Sequence, residues 1–109
     1  MKYDVAIIGG GIAGLSAAMY CGRFNLKTVI FSPLPGGTIQ LTDVVENYPG
    51  FKSISGPNLA KQFIEHAKVH KPTWIRKKVR KISKQKGGFG LLADKRYSAS
   101  AVILTTGTA

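Results

Sequence analysis

The chain has 109 residues, 44% of them hydrophobic, and a formal net charge of +11. These values suit one folded domain and exclude a chain that is disordered by composition. The single cysteine, Cys21, excludes an internal disulfide, a Cys-x-x-Cys redox pair and a cysteine zinc cluster within the chain. We interpret it as a small buried hydrophobe. No apolar run approaches the ~20 residues of a membrane span or forms a signal peptide, so a cytoplasmic location without a membrane contact is expected.

The positive charge is concentrated in one segment. Nine of the sixteen Lys and Arg residues lie between His66 and Lys86, and no acidic residue occurs between Glu65 and Asp94. Such a segment is typical of nucleic-acid binders or of a face that attracts an acidic partner. Only one aromatic residue, Trp74, offers a stacking platform there. Nucleic acid is therefore the less favoured partner, and a solvated basic face is the simpler interpretation.

The first thirty residues predict a strand, a helix and a second strand. The continuous apolar run Asp4–Gly9 is typical of a strand buried on both faces. A helix over Ile12–Phe24 and a second buried strand over Leu26–Phe31 complete one βαβ unit. His66 and His70 lie further along, four residues apart, where we expect one face of a helix. That spacing suits a metal, but no third ligand is evident and no metal site is predicted.

The rest of the chain alternates loop, helix and short strands. Ser32–Gly56 shows no clear period, and a structureless loop of that length is usually functional. Pro57 suits the first position of a helix. Short strands are predicted after Pro72 at Trp74-Ile75, Val79–Ile82, Phe89–Ala93 and Tyr97, and a buried strand at Ser100–Gly107. The predicted class is α/β, with a Rossmann-like βαβ unit, a parallel sheet and a small antiparallel β-meander.

The glycine motif carries the main functional signal. Gly9-x-Gly11-x-x-Gly14 follows a predicted strand and opens a predicted helix, which is the context that a dinucleotide site requires. Gly9 permits the turn, Gly11 lets a pyrophosphate approach the backbone, and Gly14 lets the helix pack on the strand. The helix N-terminus then offers N–H groups to the phosphates. A tight turn without a ligand is the alternative.

The motif does not identify the dinucleotide. A carboxylate near the end of the second strand usually binds the ribose hydroxyls, but Ser32 stands there and no acidic residue occurs between Asp4 and Asp43. The residues at that strand end provide no arginine for a 2′-phosphate either.

Four segments together resemble the low-molecular-weight thioredoxin reductase family, within the FAD-dependent pyridine nucleotide-disulfide oxidoreductases. They are DVAIIGGGIAGLSAAMY, LPGGTIQLTDVVENYPGF, SGPNLAKQFIEHA and AVILTTG. The run Glu46–Phe51 after Gly36-Gly37 is the most specific element. The resemblance implies an incomplete FAD-binding domain over residues 1–109, its N-terminal part, without the central nicotinamide domain and the C-terminal closing segment.

The resemblance also implies the cofactor contacts. The pyrophosphate would bind Gly9, Gly11, Ile12, Ala13 and Gly14, and the adenosine ribose would lie near Ser32 and Pro33. The loop residues Gly36, Gly37 and Thr38 would run toward the flavin, and Asn47 would approach its ring. Val79 would offer its backbone to the adenine, and Thr105, Thr106 and Gly107 would form a turn beside the cofactor. Thr105 replaces the family's alanine, which is a mild departure.

The implied reaction passes electrons from NADPH through FAD to a disulfide and on to a thioredoxin-like or other electron-transfer partner. NADPH and the Cys-x-x-Cys would belong to the central domain, so we expect no catalytic residue in this chain and no competence of the chain alone. We also expect it to bind FAD weakly or not at all alone, and to self-associate into a homo-oligomer through an unpaired sheet edge. Three alternatives stay open: a ferredoxin–NADP reductase-type or other flavin oxidoreductase, an NAD-binding domain, and a basic nucleic-acid-binding domain.

Overall fold

A computed structural model describes residues 2–107 and begins with the predicted βαβ unit. Strand β1 spans Lys2–Ile8, helix α1 spans Ile12–Arg23 and strand β2 spans Thr28–Phe31. β1 and β2 are parallel neighbours, with Ile7 opposite Ile30. The predicted helix is confirmed to within one residue, because Phe24 is its C-cap.

One mixed sheet of six strands organises the molecule. The order is β3-β2-β1-β6-β5-β4, where β3 spans Thr73–Ile75 and β6 spans Arg96–Leu104. β6 and β2 both run parallel to β1, on its two sides, and β3 runs parallel to β2. The α/β class with a parallel sheet is therefore confirmed.

The antiparallel meander consists of β4 (Lys81–Gln85), β5 (Gly88–Leu92) and the first half of β6. The two strands predicted at Tyr97 and at Ser100–Gly107 are one continuous strand, β6. Its first half pairs with β5, while Ser98–Leu104 pair with β1. Separate strands were therefore the wrong prediction here, because the strand continues without a break from the buried Tyr97 and Ala99 to the partly buried Val102 and Ile103. Val79 precedes β4 and lies outside any strand.

A hydrophobic core lies on each face of the sheet. Ala6 and Ile8 belong to one core, which includes Phe31 and the meander residues, whereas Val5 and Ile7 belong to the other, beneath α1. Adjacent residues of a strand point to opposite faces, so both registers of β1 must be apolar. This explains why β1 has a continuous apolar run rather than an alternating pattern.

The long loop has more structure than its sequence predicts. Residues Gly37–Leu41 form a 3₁₀ turn, and Val45 pairs with Ile54 in an isolated antiparallel bridge. Helix α2 spans Gly56–Lys68 and is capped by Ser55, whose hydroxyl accepts a hydrogen bond from the Asn58 N–H at 3.1 Å. The Tyr48 ring packs edge-on against Phe63 of α2, with centroids 5.5 Å apart. The loop is therefore anchored to α2.

Two further features bear on the predictions from composition. Cys21 is buried between α1 and the sheet, and this burial raises the pKa of its thiol despite an opposing hydrogen bond with Thr28. Within residues 2–107, no helix combines the length and apolar character that a bilayer crossing requires.

Tyr97 links the meander to the core, and its hydroxyl makes the free energy of unfolding depend on pH in the alkaline range. Its ring lies edge-on to Phe31 at 5.1 Å, and its hydroxyl donates to Asp94 Oδ1 at 2.8 Å. Burial, followed by this hydrogen bond, raises the pKa of Tyr97 to about 12. Because the folded protein favours the neutral phenol, its contribution is fully present below the ordinary pKa of about 10 and is lost as pH rises toward 12.

We therefore expect the free energy of unfolding to fall between about pH 10 and about pH 12 more steeply in the parent chain than in Tyr97→Phe. Urea titrations across that range measure it. Tyr20→Phe is the matched control, since Tyr20 is 58% exposed, and it should keep the parent's slope. Equal slopes in the parent and Tyr97→Phe would show that the Tyr97 hydroxyl does not contribute to the pH dependence of the free energy of unfolding.

Candidate functional site

The carboxyl ends of four parallel strands converge on one edge of the sheet. β1 is flanked there by β2 on one side and by β6 on the other. The chain enters the sheet at β1, proceeds outward through β2 and β3, and later returns to the other side of β1. Such a reversal of strand order opens a crevice outside the strand ends, where α/β proteins bind nucleotides.

The glycine turn after β1 is held by main-chain hydrogen bonds to both neighbouring strands. The Gly9 N–H donates to the Phe31 carbonyl at 2.9 Å, and the Thr105 N–H donates to the Ile8 carbonyl at 2.9 Å. The Thr105 hydroxyl donates to the carbonyls of Ile8 at 3.0 Å and Gly9 at 2.9 Å. A methyl group at Gly9 would overlap the Thr105 carbonyl, and Gly9 has φ +106°, so glycine is required there twice over.

A second glycine segment closes over the first. The Gly36 N–H donates to the Gly10 carbonyl at 2.7 Å. Gly37 has φ +66°, and a Cβ atom there would lie 2.8 Å from the Cα of Gly11. The Gln40 side chain supports this turn by donating to the Pro35 carbonyl at 2.9 Å. The two segments are 25 residues apart in sequence and approach this closely because neither carries a side chain at the crossing.

The N-terminus of α1 opens into the same crevice. The first hydrogen bond of the helix runs from the Leu15 N–H to the Gly11 carbonyl at 2.9 Å, so the N–H groups of Ile12, Ala13 and Gly14 have no partner within the helix. No acidic residue lies in the first turn, and Gly11 has no side chain to cap it. The partial positive charge of this helix end is therefore free to bind an anion.

These segments enclose a cleft of about 550 Å³. Most of the predicted contact residues line it: Gly9, Gly11, Ile12, Ala13, Ser32, Pro33, Gly36, Gly37, Thr38, Thr105, Thr106 and Gly107. The volume lies within the usual range of ligand sites. Residues from three separate parts of the sequence, 9–13, 32–42 and 105–107, thus meet in one concave surface.

Three predicted contacts lie outside the lining. Gly14 is buried, and a Cβ atom there would overlap the Gly9 carbonyl, so this glycine serves helix–strand packing. Asn47 is exposed in the loop before α2. Val79 packs partly buried against the core beside the meander. The described cleft therefore brings together the residues predicted for the pyrophosphate and the ribose, except Gly14, and leaves the predicted adenine and flavin-ring contacts outside.

The structure adds four lining residues that sequence reasoning missed: Gly10, Leu34, Ile39 and Thr42. Gly10 had an available signal, because it is the middle of three consecutive glycines. A Cβ atom at Gly10 would lie 2.5 Å from the Ser32 hydroxyl, so this glycine admits the Ser32 side chain. Leu34, Ile39 and Thr42 line the cleft only because the loop after β2 runs along it.

The sheet register brings a residue of another strand to the end of β2. The Ser32 N–H donates to the Ile75 carbonyl at 2.9 Å, and Ile75 is the partner of Phe31. The residue after Ile75 is Arg76, so an arginine does flank the end of β2. The sequence around Ser32 could not reveal it, because it arrives from β3, more than forty residues later.

The two histidines do not share a helix face. Helix α2 ends at Lys68, so His70 lies beyond it. The His70 side chain packs over Gly22 of α1, where a Cβ atom would lie 2.5 Å from the His70 Cγ, while His66 borders a different cavity with Phe51 and Phe63. Within residues 2–107, no group of three His, Cys, Asp or Glu side chains is placed to bind a metal.

Comparison with known proteins agrees with this geometry. The family model described as pyridine nucleotide-disulphide oxidoreductase matches residues 3–109. The thioredoxin reductase of Bacillus subtilis is 42% identical over 107 residues, which cover 96% of this chain and 34% of that protein. The crystal structure of the T. acidophilum thioredoxin reductase superposes with a TM-score of 0.94 at 43% identity, over 99% of this chain and 36% of the other.

A ferredoxin-flavin thioredoxin reductase from Clostridium acetobutylicum also superposes, with a TM-score of 0.92 at 32% identity, over all of this chain and 39% of the other. The chain thus spans about a third of the length of the curated relatives it matches. Because the family model covers nearly the whole chain, this protein belongs to the pyridine nucleotide-disulphide oxidoreductase family.

Proposed function

We propose that this chain is the FAD-binding portion of a thioredoxin reductase-like flavoprotein, in which electrons pass from NADPH through FAD to a disulfide. One observation carries the proposal: the glycine turn after β1 and the Gly36-Gly37 turn cross at the open N-terminus of α1. This crossing leaves free N–H groups and no side chains where a pyrophosphate would lie.

The residues present fit that cofactor. A Cβ atom at Gly11 would meet only the Cα of Gly37, at 3.8 Å, so the surface above Gly11 is open to a ligand. Ile12 and Ala13 would donate their N–H groups to the phosphates. Ser32 would hydrogen-bond the ribose through its hydroxyl, without the charge assistance of a carboxylate. Thr38 and Thr106 would border the cofactor farther along the cleft.

The bound flavin would supply the electron-transfer chemistry. The residues of this chain would bind and orient it: the crossing glycines fix the pyrophosphate, and the Thr105–Gly107 turn closes the β6 side of the cleft. Asn47 and Val79 stay candidate contacts for the flavin ring and the adenine. Both lie outside the described cleft, so they would act only if the loops that carry them border the bound cofactor.

The relatives support a proposal for the acceptor and the donor. Because they are thioredoxin reductases, a thioredoxin-like protein would be the acceptor, and NADPH would bind in a further domain of the intact enzyme. Ferredoxin is the alternative donor, because a ferredoxin-flavin thioredoxin reductase has the same fold over this region. The cytoplasmic location and the homo-oligomer also stay predictions.

The direct test is a titration of the chain with FAD, read by the quenching of flavin fluorescence. Of the two behaviours expected of the chain alone, the open helix N-terminus favours weak but saturable binding over none. We expect Gly11→Ala to reduce this binding by roughly tenfold or more, because the new methyl group occupies the space of the phosphates. The fold should tolerate this change, since Gly11 has φ −79° and the methyl group has room. Gly50→Ala would be a poor control because Gly50 has φ +100°. Ala17→Gly is used instead, as the control for a change in the glycine and alanine content of α1 outside the cleft. Equal FAD affinity in Gly11→Ala and the parent would show that the crossing of the two glycine turns does not bind the pyrophosphate.

An alanine at Gly14 should lower stability rather than FAD affinity, since Gly14 packs α1 against the turn after β1 and does not line the cleft. The methyl group of Gly14→Ala would overlap the Gly9 carbonyl and approach the Thr105 Oγ1 within 2.8 Å. We expect this variant to lose about 1–3 kcal/mol of unfolding free energy. Thermal and urea unfolding of the two alanine variants measure the contrast. A Gly14→Ala variant as stable as Gly11→Ala would contradict the assignment of separate roles.

A further inference from the structure

The adenosine end of the cleft has an unusual charge environment. In dinucleotide sites of this topology the ribose lies at the end of the second strand, where a carboxylate excludes a 2′-phosphate and an arginine accommodates one. Here that position is Ser32, which is 3% exposed. The charges that surround Ser32 therefore decide which adenine nucleotides the cleft can accept.

None of the five carboxylates, all of them within residues 2–107, lines the cleft. Asp4 accepts a hydrogen bond from the Lys27 N–H at 2.7 Å, near the amino-terminal ends of the strands. Asp94 lies in the turn between β5 and β6, where it accepts a hydrogen bond from the Tyr97 hydroxyl at 2.8 Å. Glu65 borders a separate cavity on the outer side of α2. Asp43 and Glu46 are exposed in the loop, and neither lines the cleft.

Two cations do lie at this end. A second cavity, of about 400 Å³, is lined by Leu34, Pro35, Ile64, Lys68, Trp74 and Arg76. Leu34 also lines the main cleft, so the two spaces share a wall. Arg76 follows Ile75, whose carbonyl accepts the Ser32 N–H at 2.9 Å. No carboxylate of residues 2–107 forms an ion pair with Arg76 or Lys68, so both cations are available to an anion.

From this arrangement we infer that the cleft accepts a 2′-phosphorylated adenine nucleotide at least as well as its unphosphorylated counterpart. The inference rests on the proposed dinucleotide site. Arg76 would bind the 2′-phosphate with its planar guanidinium, which suits two phosphate oxygens at once, and Lys68 would add a point charge across the cavity. The Ser32 hydroxyl, uncharged, would not repel the phosphate as a carboxylate would.

The test compares the binding of 2′,5′-ADP and 5′-ADP to the full chain. Trp74 is the only tryptophan and lines the cavity with Arg76, so its fluorescence reports binding there. We expect 2′,5′-ADP to bind at least as tightly as 5′-ADP. Arg76→Gln should weaken 2′,5′-ADP by roughly tenfold, the size of one charge-assisted contact, and should leave 5′-ADP nearly unchanged.

Lys84→Gln is the matched control, because it removes the same charge from the exposed edge strand β4, away from both cavities. If it weakens 2′,5′-ADP as much as Arg76→Gln does, the preference reflects overall charge and the inference is wrong. Tighter binding of 5′-ADP than of 2′,5′-ADP overturns it as well.

A parallel FAD titration separates the two claims. Saturable FAD binding together with a preference for 5′-ADP would overturn this inference and leave the proposed function standing. Binding of 2′,5′-ADP that depends on Arg76, without any binding of FAD, would support the inference and overturn the proposed cofactor. If neither FAD nor either adenine nucleotide binds, both claims are wrong.

Discussion

The hydrogen bond from the Gly36 N–H to the Gly10 carbonyl is the contact on which the candidate site depends. It joins the turn after β1 to the loop after β2, and it forms at 2.7 Å only because the backbones can approach without side chains between them. Without it, the loop would have no fixed path across the N-terminus of α1. The cleft would then lose one wall, together with the ordered N–H groups that make it suitable for phosphates.

The sheet explains why this contact lies where it does. β1 is buried on both faces and paired on both sides, so its carboxyl end is held firmly in place. The hydrogen bonds from the Gly9 N–H to the Phe31 carbonyl and from the Thr105 N–H to the Ile8 carbonyl fix the turn after β1 to the neighbouring strands. A ligand site built on rigid strand ends keeps its geometry before the ligand arrives, which lowers the entropic cost of binding.

Much of this could be predicted from the sequence, and the limits have physical causes. The βαβ unit and the glycine turn are local features, so the apolar run of β1 and the spacing of Gly9, Gly11 and Gly14 were sufficient. The roles of Gly10 and Arg76 depend on contacts between distant segments, which no local pattern encodes. The division of β6 into two strands failed because β6 pairs with β5 over Arg96–Ala99 and with β1 over Ser98–Leu104, and its own residues do not reveal that these two pairings overlap. The path of the loop from Ser32 to Gly56 was similarly hidden, since the 3₁₀ turn is held by Gln40 and by packing on α2.

The central claim is that the crossing of the two glycine segments binds a pyrophosphate, and backbone amide NMR tests it most directly. On addition of FAD, the account predicts that the largest chemical-shift changes occur at the amides of Gly11, Ile12 and Ala13 and at those of Gly36 and Gly37. The amides of β4, at the opposite edge of the sheet, should stay unchanged. Shift changes centred on the basic segment between His66 and Lys86, with the glycine amides unmoved, would show that the crossing does not bind the pyrophosphate.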